Sequence, residues 1–441
     1  MMDSDLRHSS HVNLLSLQQT YNHYLTKLIW SILFLISLVA YIDGYLIERV
    51  GFTRLETIYY VFLLIVLLVW VILNRVSIFW SGYLLILLVA LWSGVLLNGM
   101  DTGRFIDDTR YYLRSYLLGI LVFLFFSKTY FIQKSFNRFM WIQWFVIVIA
   151  VAIHLLFGFG GTHSGRGVLR DIYSAFFKEA NVVSFFLVCI WYYLYCFLYG
   201  NFFCLRFVIT GVTLITTILL SSKAALLAMF FLIFYHGITY FKKKSQLRRI
   251  LFNMVIFGSL ICLILFFERF IEMLIDLFVI ILPDSAKIAY RLTTWDVLTV
   301  LTSTRNLRIL QFFQDIKHFS LSEWLFGIGF HDILEKEKLI ESDFFDAFQA
   351  FGIIGLTLLY LPWIMAFIFL KYDKIVKLYE FKHWVYIMGI FYVNILVSTA
   401  TGHVIMTPMA VILLGITFGR FINVRLVIKR NITENEDSSG K

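Results

Sequence analysis

The chain has 441 residues, of which 60% are hydrophobic and only 15% are charged, and its formal net charge is +10. A soluble domain is nearer half apolar, with about a quarter of its residues charged, so the composition excludes an ordinary soluble protein and indicates a polytopic membrane protein. The positive charge would also suit nucleic-acid binding. However, the basic residues cluster in short stretches between apolar runs, as the cytoplasmic loops of membrane proteins do. We therefore predict no nucleic-acid partner.

About twelve apolar runs follow one another, each close to the roughly 20 residues that a helix needs to cross a bilayer. The predicted spans are 28–47, 57–74, 77–97, 112–130, 140–159, 180–199, 203–220, 224–241, 251–268, 347–370, 383–400 and 403–421. Backbone groups in lipid must pair within their own segment, so these spans are predicted as helices. The expected fold is an all-α polytopic membrane protein.

One long polar loop interrupts the spans and sets the predicted organisation. The chain divides into residues 1–267 with the first spans, a large loop at 268–346, the last spans at 347–421 and a polar tail at 422–441. Basic residues after alternate spans place both termini in the cytoplasm and the large loop on the external side. A connection of this length is usually functional. Within it, residues 307–319 have helical apolar spacing and predict an amphipathic helix.

Basic residues on the predicted external side are unexpected, because loops there usually lack them. They are Arg166, Arg170, Lys223, Arg291, Arg305 and Arg308. An arginine offers a rigid fork suited to phosphate and a lysine offers a point charge, so the set predicts an anion site. The alternative is pairing with lipid head groups or with nearby aspartates.

Acidic residues gather just before the tenth predicted span, at Glu341, Asp343 and Asp346. On a helix the last two share a face. They are candidates for a general base or for a group that orients a substrate hydroxyl. The alternative is that acidic side chains stabilise a helix N-terminus through its dipole.

Two histidines, His331 and His403, are further candidates for a pocket on the external side. No histidine has metal-ligand spacing with another, and the motifs of nucleotide hydrolysis and of soluble hydrolases are missing from the sequence. We therefore predict neither a metal nor a cofactor.

Six segments occur in an order, at a spacing and on a membrane side that match one family. They are Phe177–Asn181, Leu220–Leu227, Ser303–Arg308, Leu325–Phe330, Glu341–Gly355, and Gly402-His403 with Pro408. Together they resemble the O-antigen polymerase and ligase superfamily of membrane glycosyltransferases. Ligases of this family typically carry a His-Asn pair where Glu341 stands here, eleven residues before Gly352. The resemblance therefore favours a repeat-unit polymerase of the Wzy type over a ligase.

The resemblance implies a GT-C-like fold in the bacterial inner membrane and a donor glycan on undecaprenyl pyrophosphate. The growing chain would pass to the next lipid-linked repeat unit without a metal, in the synthesis of O-antigen or a related surface polysaccharide. It also implies the lipid bilayer, a flippase and a chain-length regulator as partners. By this resemblance, Arg305, Arg308, Arg291 and Lys223 would bind the pyrophosphate, with Arg166 and Arg170 less strongly expected.

A transporter of lipid-linked oligosaccharides is the remaining alternative, because twelve spans with cytoplasmic ends is a common transporter layout. Transporters usually have internal repeats and ionisable residues at mid-bilayer. No repeat is evident between the halves of this chain. Asp43 and Arg114 fall in or near spans, close to their predicted external ends.

Overall fold

The computed structural model describes most of the chain as helices. The described residues are 21–52, 54–74, 78–97, 102–129, 133–158, 162–163, 172–173, 175–177, 179–197, 203–220, 222–241, 305–335, 340, 342–373, 381–400 and 407–439. Apart from these helices and their connections, Thr162–His163 and Ile172–Tyr173 form a short antiparallel pairing. The predicted all-α membrane fold is confirmed.

Ten described helices precede the large loop. They are α1 (Tyr21–Phe34), α2 (Ile36–Val50), α3 (Leu55–Leu73), α4 (Ile78–Leu97), α5 (Thr102–Tyr112), α6 (Leu118–Lys128), α7 (Gln133–Phe157), α8 (Ala180–Phe197), α9 (Phe203–Leu219) and α10 (Lys223–Phe241). A π-helical turn, Leu113–Leu117, joins α5 to α6. Helices α1 and α2 are bent by 50° relative to each other and together match the first predicted span.

Six further helices follow within and after the large loop. They are α11 (Arg305–Asp315), α12 (Leu321–Phe326), α13 (Phe330–Glu335), α14 (Asp343–Tyr372), α15 (Phe381–Ala400) and α16 (Pro408–Ser439). Each predicted span overlaps a described helix except 251–268, which lies outside the described residues.

By length and composition alone, six described helices are able to cross a membrane, or seven if the bent α1–α2 pair counts as one span. Three shorter apolar helices lie at 118–128, 204–219 and 224–239. The described part of the chain is therefore a multi-pass membrane protein. The total of about twelve spans stays a prediction.

Helix α8 lies at the centre of the bundle and packs against α7, α9, α10, α15 and α16. Most of its side chains are buried, including the large rings of Trp191 and Tyr192. A helix that is buried on nearly all sides is typical of the core of a large bundle. This central position explains why α8 is apolar on nearly all sides.

Helices α6 and α16 approach closely because small residues lie where they cross. A Cβ atom at Gly415 would lie 2.5 Å from the carbonyl oxygen of Gly119, and one at Gly419 would lie 2.5 Å from that of Phe123. Any larger residue would push the helices apart. The spacing Gly-x-x-x-Gly is typical of close helix crossings in membranes.

Asp43, which the sequence placed in or near a span, has a structural partner. Its Oδ1 accepts the backbone N–H of Glu56 at 3.0 Å, in the first turn of α3, and its side chain is buried. The first N–H groups of a helix have no partner within the helix, so Asp43 serves as a cap supplied from α2.

Arg114 lies in the π-helical turn and pairs with Glu179, with 3.9 Å between the two side chains, while its guanidinium lies over the Tyr60 ring. Asp43 and Arg114 could have indicated a transport pathway. Both instead have partners that hold the helices together.

Candidate functional site

The described part of the large loop folds onto the bundle as three short helices. Helix α11 and the 3-10 turn Ile316–His318 that follows it confirm the predicted amphipathic helix at 307–319. Rings of α11 contact the first turns of α14, with Phe312 lying 5.4 Å from Phe345 and 5.9 Å from Phe348 between ring centroids. Helix α12 packs against α4 and α14, and α13 packs against α5 and α14.

Helix α14 is broken rather than straight, which the sequence did not predict. Gly352 has φ 64° and ψ −170°, a conformation essentially confined to glycine. Residues 343–351 therefore form a short helix of their own, and the span continues beyond the break. The acidic residues belong to this short first helix.

The turn at 325–330 docks onto this break through its backbone. The N–H of Ile328 donates to the carbonyl of Gln349 at 2.8 Å, and the N–H of Gly329 donates to that of Ala350 at 2.9 Å. A helix that ends leaves its last carbonyls without partners inside the helix. The turn supplies the missing donors.

Two glycines allow the backbone of the turn and the backbone of α14 to approach closely enough for these hydrogen bonds. A Cβ at Gly327 would overlap the carbonyl group of Ala350, and a Cβ at Gly352 would overlap that of Leu325. Gly327 has φ 76° and ψ −178°, so it adopts a conformation similar to that of Gly352. The 325–330 turn and the Gly352 break belong to segments that the sequence identified separately. Together they form one contact, which we call the joint.

Asp108 from α5 fixes the helix that follows the turn. Its Oδ1 accepts the N–H of Phe330 at 2.7 Å and the N–H of His331 at 3.0 Å. A carboxylate that accepts such bonds stabilises the start of a helix. The ring of Tyr111, one turn further along α5, stacks on Phe330 with 3.6 Å between centroids. His331 is thereby held in place by its backbone.

Sequence reasoning missed Asp108. The available signal was an acidic residue in the short 98–111 loop, which is also on the predicted external side. That signal does not identify a partner more than 200 residues later in the chain.

Asp346 accepts two backbone hydrogen bonds from the segment just before α14. Its Oδ1 accepts the N–H of Ile340 at 2.8 Å, and its Oδ2 accepts the N–H of Ser342 at 2.9 Å. All three residues are buried. Asp346 therefore holds the chain in the turn that leads into α14.

Asp343, the first residue of α14, is fully buried. Burial raises the pKa of the nearby Tyr111 phenol well above its usual value, and the negative charge of Asp343 raises it further. Tyr111 is therefore a neutral hydrogen-bonding group next to Asp343 at physiological pH. The Ser342 hydroxyl in turn donates to the carbonyl of Ser398 at 3.3 Å, which ties this corner to α15.

Gln349 lies on the short first helix and is buried, but its Oε1 has no hydrogen-bond partner within the described part of the chain. A buried amide oxygen without a donor is unfavourable by about 1–3 kcal/mol. A bound hydroxyl is one group that would supply the donor.

The structure describes only some of the remaining predicted site residues. Arg305 and Lys223 begin α11 and α10, but the structure does not describe their side chains. Arg308 is exposed on α11. The candidates outside the described residues are Arg166, Arg170, Arg291, Glu341 and His403. The described geometry thus joins Asp343, Asp346 and His331 through the turn and α5.

Ser222 accepts the N–H of Ala225 at 3.3 Å and so caps α10, directly before Lys223. Among the residues that the structure describes, no group of three His, Cys, Asp or Glu side chains is arranged to hold a metal ion. The absence of a metal from the reaction stays a prediction.

Replacing Asp346 separates a structural role from a catalytic one. Asp346→Ala leaves two buried N–H groups without an acceptor, at about 1–3 kcal/mol each. We expect a lower thermal unfolding midpoint for the purified protein. Asp346→Asn keeps one acceptor oxygen, so its midpoint should fall less. If both variants unfold like the wild type yet are inactive, Asp346 acts in catalysis instead.

Comparison with known protein families finds a match over part of the chain. Residues 283–428, about a third of the chain, match the family model described as O-antigen ligase like membrane protein. The match supports the O-antigen ligase and polymerase superfamily and a role in surface polysaccharide biosynthesis, without separating polymerases from ligases. It includes the turn, the break in α14 and both described aspartates of the acidic set. No curated protein and no solved structure gives a match.

Proposed function

We propose that this protein is a repeat-unit polymerase that joins lipid-linked oligosaccharides at the external face of the bacterial inner membrane, with both of its termini in the cytoplasm. The observation that carries the proposal is the joint between the 325–330 turn and the Gly352 break. His331 follows the turn, and Asp343 and Asp346 lie on the short helix to which the turn is bonded, all inside the segment that the family model matches, which supports the proposal.

The proposed reaction transfers a growing glycan from undecaprenyl pyrophosphate to the next lipid-linked unit. An acceptor hydroxyl oxygen attacks the anomeric carbon of the donor, and a bond forms between them. The bond from that carbon to the phosphate oxygen breaks, and undecaprenyl pyrophosphate leaves with the electron pair. The hydroxyl proton passes to a carboxylate.

Cationic side chains would stabilise the pyrophosphate as its negative charge develops, a role that a metal fills in many transferases. Arg305 is the first candidate, followed by Arg308, Arg291 and Lys223, with Arg166 and Arg170 after them. Arg305 and Arg308 lie in the first turns of α11, whose rings pack on the acidic helix. This packing supports a shared site for cations and carboxylates.

Glu341 and Asp343 are the proposed bases, with His331 and His403 as further pocket residues. Asp346 already accepts two backbone N–H groups, so we assign it the role of positioning the turn before α14. We propose Tyr111, which lies near Asp343, and the Gln349 amide, on the same short helix as Asp343, as hydrogen-bonding groups for the sugar.

The base assignment predicts loss of activity without loss of protein. Glu341→Gln and Asp343→Asn preserve shape but remove the proton acceptor. We expect at least one of them to lower polymer formation by about 10²–10⁴-fold, the usual contribution of general base catalysis. Polymer on gels and protein level on immunoblots measure the two effects. Full activity in both variants contradicts the assignment.

A ligase is the second candidate, because the matching family model is described by that activity. It would share the lipid-linked donor and differ in its acceptor. A deletion strain, with and without the restored gene, separates the two on a gel of surface polysaccharide. Collapse of the ladder to a core with one repeat unit supports the polymerase. Bare core with accumulated lipid-linked polymer supports the ligase.

An unchanged ladder contradicts both glycosyltransferase assignments for this polysaccharide and points to another polymer or to the transporter alternative. A flippase that delivers the substrate and a regulator of chain length are the partners that a polymerase would need. The lipid bilayer is the medium in which the donor and the acceptor both reach the site.

A further inference from the structure

Helices α11 and α12 expose large apolar side chains although they belong to a predicted external loop. The exposed fractions are 52% for Leu307, 61% for Leu310, 48% for Phe313, 76% for Leu321 and 41% for Trp324. Scattered apolar residues on a surface are ordinary, but several large ones on two consecutive helices indicate a contact surface. Leu307 lies among the polar residues of α11, so we define Leu310, Phe313, Leu321 and Trp324 as the apolar face of the loop.

The apolar residues of α11 cover much more of the helix than the protein itself buries. Successive residues on a helix turn by about 100°. Phe312 is buried, and Ile309 and Ile316 pack on the core, so they mark the side towards the protein. By the same rotation, Leu310 lies nearly opposite Phe312.

The polar residues of α11 are Arg308, Gln311, Gln314 and Asp315, and they lie on one side of the helix. Leu310 and Phe313 extend the apolar side beyond the part that the protein buries. A helix with a strongly polar side and an apolar side is typical of an interfacial helix, which lies in the plane of the membrane surface. An ordinary surface helix would instead keep its large apolar residues against the protein.

Helix α12 continues this surface towards the membrane spans. The side chain of Ser320 accepts the N–H of Glu323 at 3.3 Å, and the Glu323 carboxylate accepts the N–H of Ser320 at 2.7 Å, so a capping box fixes where α12 begins. Trp324 touches the ring of Phe348, with 5.3 Å between centroids. Tryptophan is enriched at membrane–water interfaces.

The span beside α12 exposes apolar residues at the same end of the bundle. Helix α12 packs on α4, and Trp92, Leu96 and Leu97 near the end of α4 are all more than half exposed. In a spanning helix such residues face lipid. The apolar face of the loop therefore adjoins a surface whose surroundings are lipid.

From these observations we infer that α11 and α12 lie in the membrane interface, with the apolar face of the loop inserted among lipid chains. The polar side of α11, with Arg308, Gln311, Gln314 and Asp315, then faces water and the head groups. Lys317, exposed just after α11, is placed to reach lipid phosphates with its long side chain. The occupant of this surface is the lipid of the bilayer.

This placement sets the depth of the acidic corner. Helix α11 packs on the first turns of α14, so an interfacial α11 holds Asp343 near the level of the head groups. The pyrophosphate of a membrane-anchored donor lies at that level. This last consequence rests on the proposed function, whereas the insertion itself does not.

Spin labelling of the full-length protein in proteoliposomes tests the insertion. In a variant with its four cysteines replaced, a nitroxide is attached at Leu310→Cys or, as the matched control on the same helix, at Gln311→Cys. Collision with oxygen, which concentrates in lipid, is compared with collision with a water-soluble nickel chelate. We expect the ratio of oxygen to nickel collisions to be several-fold higher at 310 than at 311, because an interfacial helix buries its apolar side in lipid.

Equal ratios with high nickel access at both positions would show a water-exposed helix and overturn the inference. Low access of both reagents at 310 would show that a protein covers the face, which also overturns it. The pair Phe313→Cys and Asp315→Cys repeats the comparison if the first variants do not fold. The collision ratio needs no activity, so a failure of the polymerase assignment in the deletion strain is distinguishable from a failure of insertion.

Discussion

Replacing Gly352 with alanine is expected to reduce polymer to a small fraction of the wild-type amount. Any residue other than glycine at φ 64° and ψ −170° carries backbone strain of about 1–3 kcal/mol. A Cβ there would also overlap the carbonyl of Leu325, so the 325–330 turn would have to move away. Strain of this size alone shifts a two-state equilibrium by about 5–150-fold. The measurement is the polysaccharide ladder, normalised to the amount of membrane-inserted protein.

Two glycines elsewhere in the chain serve as matched controls. Gly158 has φ 63° but open space around its Cβ position, so Gly158→Ala tests backbone strain without steric overlap. Gly211 lies inside α9 with no atom near its Cβ position and an ordinary helical conformation, so Gly211→Ala should leave the ladder unchanged. If Gly352→Ala behaves like Gly158→Ala, backbone strain alone explains its effect.

The joint also predicts how two substitutions combine. Gly327→Ala should resemble Gly352→Ala, because each adds a Cβ at the same contact between the turn and α14. Substitutions that disrupt one shared contact are not additive. The double variant should therefore be little worse than either single variant. A wild-type ladder in both single variants would show that the reaction does not need the joint.

The sequence alone was sufficient to predict the helical membrane fold, because a span depends on the composition of one continuous segment. The amphipathic pattern of α11 was equally local, and the structure has a helix there. The turn at 325–330 and the glycines near the start of α14 were also recognised as separate segments. Their resemblance to one family gave them an order along the chain but no contact between them.

The contacts that build the corner were not predictable from local patterns. Asp108 caps a helix that begins 222 residues later, and nothing in the short loop around it indicates that partner. Asp346 looked like a general base because acidic residues at that position suit both catalysis and helix starts. Its two accepted N–H bonds favour the structural role, and the Asp346 variants test which role it has. The break at Gly352 likewise depends on a backbone that approaches from elsewhere.

Arg305→Ala is expected to abolish polymer while leaving the protein level unchanged. Arg305 is the first residue of α11, and a cation in the first turn of a helix is unfavourable by about 0.3–1 kcal/mol because of the helix dipole. Removing it should therefore not destabilise α11. A loss of polymer would then report a lost substrate contact rather than unfolding. Removing one group that stabilises developing negative charge typically lowers the rate by about 10²–10³-fold.

Arg305→Lys tests what kind of contact is lost. Lysine keeps the positive charge but not the planar fork that binds phosphate oxygens in pairs. We expect this variant to retain part of the activity, between wild type and Arg305→Ala. Arg308→Ala, on the exposed polar side of the same helix, should have a smaller effect, and Arg54→Ala, exposed before α3, should have none. Wild-type polymer length in Arg305→Ala would remove Arg305 from the site, and equal losses in all three alanine variants would indicate a general effect of surface charge.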